Sequence, residues 1–214
     1  MAQPIDLKTW DRREHYELFS AQKFPYLGVT FRVDVTGLHR WCKENSVSFY
    51  YALCWYSIRA MEPLENFHYR LADGKPVRVG ELIPSFTDLK PGSELFHIVT
   101  VEMEPEPAVF CRKAAQKSAA QSGLLDQTDE QREGLIYLSC LPWLDFTGVL
   151  NNREGPDDGT PQVIWGKYRR ELDGRLTLPY SIDANHRLMD GLHLGKFAEN
   201  LQKLLEGVEE NPSH

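Results

Sequence analysis

The chain has little of what would place it in several large functional classes. Only four of its 214 residues are cysteine, Cys42, Cys54, Cys111 and Cys140. They are widely spread, with no CxxC pair and no histidine at metal-ligand spacing. Neither a zinc site nor a disulfide framework is expected, and the thiols are predicted to be reduced and mostly buried. No apolar run approaches the roughly 20 residues that a membrane span needs. The opening MAQPIDLKTWDRREHYELF lacks the apolar core and small-residue cleavage pattern of a secretory signal. The expected location is cytoplasmic, with no membrane partner. Basic residues are also in deficit, 24 Lys and Arg against 31 Asp and Glu for a formal charge of -7. Without a Lys/Arg run to track a phosphate backbone, nucleic acid and anionic membranes are disfavoured as partners, and a small-molecule substrate is expected. No internal repeat is visible, and the length suits one domain over residues 1–214.

What is present is a mixture of helical and strand patterns. Arg12 to Phe19 reads as a short polar helix, and Leu27 to Val35 alternates as a strand does. Thr36 is predicted to cap a helix from Gly37 to about Asn45. Ser48 opens a second helix that is apolar nearly all round and stops at Pro63, so it should be buried. Phe67 to Leu71, Asp73-Gly74 and Val77 to Val79 form a strand-turn-strand signal, since Asp-Gly supplies the positive φ values of a tight hairpin. Further strands are expected at Leu82 to Phe86, Leu95 to Met103, Leu135 to Leu138, Phe146 to Leu150, Gln162 to Tyr168 and Leu176 to Ile182. Pro107 to Gly123 is helical in composition, and Gly191 to Leu205 is an amphipathic closing helix. Without strict βαβ alternation, this points to an α+β two-layer sandwich, a mixed β-sheet packed with helices. The loop Asn151 to Pro161 is rich in turn residues and expected to be exposed, and the charged tail Glu206 to His214 to be frayed.

The most informative segment is Asn185-His186-Arg187-Leu188-Met189-Asp190-Gly191, set between an apolar strand and the closing helix. Histidine titrates nearest neutral pH, so a positioned His186 suits a general base that removes a hydroxyl or thiol proton. A lone histidine at such a junction also reads as a structural residue. The flanking Asp190-Gly191 and the distant matches below favour catalysis.

His186, Asp190 and Gly191 match the HxxxDG signature of the CoA-dependent acyltransferases typified by chloramphenicol acetyltransferase. The resemblance extends in order along nearly the whole chain. Trp10-Asp11-Arg12-Arg13-Glu14-His15-Tyr16 resembles the family's W-x-R-[RK]-E-H-F, and Arg70 with Asp73-Gly74 its R-x-x-D-G hairpin. Pro84-Ser85-Phe86-Thr87 and Phe96-His97 resemble its central strands. Ser139 through Phe146 is similar to S-x-x-P-W-x-x-F, and Gly166-Lys167-Tyr168 to [GA]-K-Y. The resemblance implies the chloramphenicol acetyltransferase-like fold and transfer of an acetyl group from acetyl-CoA to the hydroxyl of chloramphenicol or a similar alcohol. Acetyl-CoA is then a co-substrate, with no metal and no tightly bound cofactor. It implies His186 as the base, and Ser139 as the hydroxyl that stabilises the tetrahedral oxyanion. Asp190 and Arg12 are implied as a supporting ion pair, the imidazole being oriented by its own carbonyl. It further implies a homotrimer with active sites between subunits. The other readings are an acyltransferase for a different small alcohol or amine, and an inactive trimeric binding homologue.

Three positions depart from the family. Asn185 stands where a first histidine is common, Ile164 where a threonine would help hold a water, and Phe19 where some members have a tyrosine beside the acceptor. Phe19, Phe24, Tyr26, Tyr137, Trp143 and Ile164 are the acceptor-pocket candidates. Phe96 and Phe110 join the aromatics that read equally as pocket or core. His193 reads as a packed or rim histidine rather than a second base.

Overall fold

The computed structural model describes residues 2–210, with the side chains of 209 and 210 left aside. In chain order the elements are β1 (Gln3–Pro4), α1 (Arg13–Ser20), β2 (Tyr26–Asp34), α2 (Thr36–Glu44), α3 (Phe49–Met61), β3 (Tyr69–Ala72), β4 (Lys75–Arg78), β5 (Ile83–Leu89) and β6 (Phe96–Thr100). They continue with α4 (Pro107–Ala120), α5 (Gln127–Glu130), β7 (Leu135–Leu141), β8 (Gln162–Gly166), β9 (Arg169–Arg170), β10 (Leu176–Asn185) and α6 (Gly191–Glu210). A seven-stranded sheet runs in the order β2-β10-β8-β7-β5-β6, with β9 paired to β10, and a three-stranded sheet runs β1-β4-β3. β5, β7 and β8 are parallel neighbours and the other pairings are antiparallel, so the large sheet is mixed.

The strand registers sort the large sheet into two chemically different faces. Val99, Phe86, Leu138, Val163, Ile182 and Val29 stand side by side across it in one row, and Cys140, Trp165, Tyr180 and Phe31 in another. This apolar face packs against α3 and α6, and Phe86, Trp165, Tyr180, Phe67 and Phe197 are fully buried. The alternate rows are polar and small. Thr100, Ser85, Tyr137, Gln162, Asp183 and Gly28 form one, and Ile98 with Thr87, then Ser139, Ile164, Ser181 and Thr30, the other. Successive residues of a strand point to opposite faces, so the alternation seen in sequence becomes two unlike surfaces.

Local chemistry explains where elements begin and turn. Ser48 caps α3 by accepting from Tyr51 N, as its place before an apolar run predicts. Asp73 and Gly74 take φ of 50° and 72° between β3 and β4, the mirror-image turn that the hairpin requires. The expected strand at Phe67 and His68 is instead a 3-10 turn, Glu65–His68, that leads into β3. Thr36 is not the cap of α2: Asp34 Oδ1 accepts from Thr36 N and Oγ1 at 2.9 and 2.6 Å, while Thr36 Oγ1 accepts from Leu176 N at 2.8 Å. Phe146 to Leu150 is not a strand, because Phe146 lies on Gly166 and packs onto the sheet rather than joining it. α6 runs on to Glu210, so the expected fraying of Glu206 to His214 is corrected over its first part, and the remainder lies outside the described residues. Among the described residues no helix is long and apolar enough to cross a membrane.

Arg70 stitches the two sheets together. Its buried guanidinium donates to the carbonyls of Phe67 and Tyr69 at 2.7 and 2.8 Å and to that of Leu135, at the start of β7, at 2.8 Å. Burial pulls its pKa down to about 10, which leaves it cationic at neutral pH. Arg70→Met strands three carbonyls at once and is expected to cost roughly 3 kcal/mol or more. A thermal melt should then fall by about 6–12 °C. A fall of under about 2 °C would show that the carbonyls find other donors.

Candidate active site

β10 ends at Asn185, and the next residues turn before α6 begins. Leu188 N and Met189 N both donate back to the Asn185 carbonyl, at 2.9 and 3.3 Å, and Leu188 and Met189 are buried. His186 N donates to the Pro25 carbonyl at 2.7 Å, which ties the turn to the start of β2. These bonds drive two apolar anchors into the core and leave the His186 side chain at the rim, 24% exposed.

Arg12, at the start of α1, holds this turn from one side. Its Nε donates to the Arg187 carbonyl at 2.9 Å and its Nη2 to the His186 carbonyl at 2.8 Å. Nη2 also donates to Asp190 Oδ1 at 2.6 Å, and Nη1 to Asp190 Oδ2. The guanidinium therefore spends one fork on a carboxylate and two further donors on backbone oxygens. Its hydrogen bonds to Asp190 hold that carboxyl below the usual range. His193 Nδ1 accepts from Asp190 N at 2.9 Å, and burial, then the Arg12 charge, lower its pKa. His193 thus serves as an acceptor at the opening of α6.

The imidazole of His186 is held by packing. Phe19, on α1, stacks on it with centroids 3.9 Å apart and planes 14° from parallel. Nδ1 comes within 3.2 Å of Asp190 Oδ1 but makes no hydrogen bond, because that carboxylate is turned to Arg12. The implied bond from the ring to its own carbonyl is absent, and the His186 carbonyl accepts from Arg12 instead.

A second hold comes from the opposite side. Asn185 is buried, its Nδ2 donating to the carbonyls of Pro156 and Asp158 at 2.9 and 3.1 Å and its Oδ1 accepting from Arg187 N and Nε. Arg187 donates in turn to the Pro156 carbonyl and pairs with Asp157 at 2.9 Å. Arg153, 1% exposed, pairs with Asp158 and Asp183 and lies 4.7 Å over the Tyr26 ring. Burial pushes Asp183 up while Arg153 opposes it. The expectation of an exposed loop at Asn151 to Pro161 holds for Asn152, Glu154, Pro156 and Asp157 and is corrected for the rest, which is docked through bonds to Asn185, Arg187 and Arg153. Neither arginine stood out in sequence, because an arginine in a polar loop or beside a histidine carries no signal of burial.

Ser139 lies elsewhere. It sits half-buried on β7, on the polar sheet face, in register with Ile164 of β8. Ile164 in turn faces Ser181 of β10, and His186 is the fifth residue after Ser181. Two strand spacings and five residue rises separate the backbones by roughly 10 Å across the sheet and roughly 17 Å along it. Within one chain the two residues do not meet. Thr87 Oγ1 lies 2.8 Å from Ser139 Oγ and was not singled out as a site residue.

The pocket candidates divide in the same way. Phe19, Phe24 and Tyr26 gather at the His186 end, Phe24 and Tyr26 packing edge to face at 4.8 Å. Ile164 lies opposite Ser139, Tyr137 lies two residues before it on β7 and feels the loop carboxylates of Asp158 and Glu154, and Trp143, beyond the end of β7, is 67% exposed. Both tyrosine hydroxyls are engaged, Tyr26 with the carbonyls of Gly155 and Asp158 and Tyr137 with Glu130. Burial raises both phenols, that of Tyr137 to about 12. Phe110 is core, whereas Phe96 is 52% exposed on β6. Among the described residues no His, Cys, Asp and Glu group of three could hold a metal, and the four thiols are unpaired, three of them pushed up to about 12 by burial.

Comparison with known proteins identifies the same fold and family. Residues 2–202 match the family model described as chloramphenicol acetyltransferase. The chain is 31% identical over 206 residues to chloramphenicol acetyltransferase of Streptomyces acrimycini, covering 94% of this chain and 93% of the relative. It is 28% identical over 207 residues to chloramphenicol acetyltransferase 2 of Escherichia coli, covering 95% and 97%. A solved chloramphenicol acetyltransferase structure superposes with a TM-score of 0.86 at 25% identity, over 96% of this chain and all of the other. The architecture is that of the CoA-dependent acyltransferases.

Asp190 has a depressed pKa in the folded state, so its stabilising contribution is complete above the unfolded carboxyl value of about 3.9 and lost as pH falls through the folded one. Asp190→Asn should therefore be less stable than the unaltered chain at pH 7. The gap should hold down to about pH 4 and narrow as the pH falls further towards about 2, as read by denaturant midpoints. A gap that stays constant over that range contradicts the linkage.

Proposed function

The chain belongs to the chloramphenicol acetyltransferase family, and from that premise we propose that it transfers acetyl from acetyl-CoA to the hydroxyl of chloramphenicol or a similar amphipathic alcohol. The observation that carries the reading is His186 itself, an imidazole at the rim of the fold whose backbone is held by Arg12 and whose ring is held by Phe19. In the reaction, His186 accepts the hydroxyl proton as the oxygen attacks the thioester carbonyl. The tetrahedral oxyanion that forms receives a hydrogen bond from the Ser139 hydroxyl. Collapse of the intermediate expels the CoA thiolate, and the imidazolium returns the proton to sulfur. No bond forms between enzyme and acetyl group, so Ser139 is a stabiliser and not a nucleophile.

The separation of His186 from Ser139 within one chain supports a site built between subunits of a homotrimer, histidine from one and serine from its neighbour. Phe24 and Trp143 are large aromatics left exposed in the single chain, which is consistent with burial against a neighbouring subunit. The aromatic, hydrogen-bond-poor character of Phe19, Phe24 and Ile164 favours an amphipathic acceptor over a sugar.

His186→Ala should abolish thiol release from acetyl-CoA in the presence of chloramphenicol. Ser139→Ala should lower kcat by roughly 10²–10³, the usual loss of one oxyanion donor. Turnover unchanged in His186→Ala would overturn the enzyme reading. Transfer to another alcohol but not to chloramphenicol would replace the acceptor and leave the mechanism intact. Mixing the two inactive variants and reassembling them tests the divided site. Each mixed trimer then has one boundary that joins an intact histidine to an intact serine, and about a quarter of full activity should return. No return would place both residues in one subunit's site.

A further inference from the structure

The geometry points to Thr87 as the positioning residue that sets the direction of the Ser139 hydroxyl. This rests on the acyl-transfer reading above and deepens it. Across the polar face of the sheet, four half-buried residues follow one another: Ile98 on β6, Thr87 on β5, Ser139 on β7 and Ile164 on β8. Two hydroxyls 2.8 Å apart are thus bracketed by two isoleucines that offer no hydrogen-bonding side-chain atom. Each hydroxyl carries one proton, and one of the two protons is spent on the bond between them. If Ser139 donates to Thr87, the serine has nothing left for an oxyanion. If Thr87 donates to Ser139, the serine oxygen is satisfied as an acceptor and its own proton points outward from the sheet.

The developing negative charge selects the second arrangement. An oxyanion that accepts from Ser139 polarises the serine oxygen, which then accepts more strongly from Thr87, so the two bonds reinforce each other. No proton leaves Thr87 at any stage. Its backbone is fixed for the task by Tyr50, whose hydroxyl donates to the Thr87 carbonyl at 2.5 Å from within the helical layer. Ile164, opposite Ser139 on the other neighbouring strand, offers no hydroxyl, so Thr87 is the hydroxyl that reaches the serine.

The test is a double-mutant cycle on purified full-length protein, with acetyl-CoA and the acceptor it turns over. Thr87→Val keeps the shape and removes the hydroxyl. It should lower kcat about 5- to 10-fold, the size of one neutral hydrogen bond, with KM for both substrates within about 2-fold. Thr87→Ser should recover most of kcat. In a Ser139→Ala background Thr87→Val should have no further effect on kcat, because the hydroxyl acts only through the serine. Thermal midpoints of all variants, measured in parallel, separate loss of fold from loss of positioning. Unchanged kcat in Thr87→Val beside an impaired Ser139→Ala would overturn the proposal and leave the acyl-transfer reading standing. So would a loss of the same size in both backgrounds, which would mark a merely structural role. If Ser139→Ala itself is unimpaired, both the oxyanion assignment and the role of Thr87 fall together.

Discussion

The site depends on one guanidinium, that of Arg12. A turn that carries an exposed histidine needs its backbone oxygens satisfied, and here two of them, from His186 and Arg187, point at the same cation that binds the Asp190 carboxylate. The usual view of a histidine followed by an aspartate is of a base and its orienting partner. The geometry divides the labour differently. Asp190 fixes Arg12, Arg12 fixes the peptide backbone of the turn, and Phe19 fixes the plane of the ring. An uncompensated charge would remain if either member of the ion pair were lost, which makes the pair more consequential than its own net attraction.

The large sheet has two unlike faces with different partners. Its apolar rows are consumed by the helices, and this burial is what makes the fold stable. The polar rows hold the Thr87–Ser139 hydroxyl pair and meet the loop from Asn151 to Pro161 at Gln162 and Asp183. That loop reaches from the polar face to the histidine turn through Asn185 and Arg187, so the strand end carrying His186 is gripped on both sides. Asn185 in the position of a common histidine does not weaken this grip. Its amide makes four hydrogen bonds where an imidazole has two ring nitrogens to offer.

Much of this was legible in the sequence where a residue has a local reason to be what it is. Asp73-Gly74 announced its turn by backbone conformation alone, Ser48 its helix by capping, and β2 its place by alternation. His186 stood out from its local segment, whereas Ser139, Asp190 and Arg12 took their roles from resemblance, since nothing in the composition around Arg12 says that it meets residues 174 to 178 positions away. What could not be read were the burial of Arg153 and Arg187, the docked state of the loop between them, and the Thr87–Ser139 pair. Each depends on a partner brought close by sheet register. Phe146 misled for a related reason: apolar residues that lie on a sheet carry the same composition as those that belong to it.

Arg12 and β2 also impose an order on assembly. Both find their partners at the far end of the chain, β2 on β10 and Arg12 on Asp190, so neither can be completed during synthesis until about residue 190 has emerged. Until then the inner edge of β2 has open backbone donors and acceptors, which is the condition in which strands mispair between chains. The large sheet is complete only with β10 between β2 and β8, and the same strand brings His186 to Arg12. The histidine turn therefore takes its held form only once the inner edge of β2 is covered.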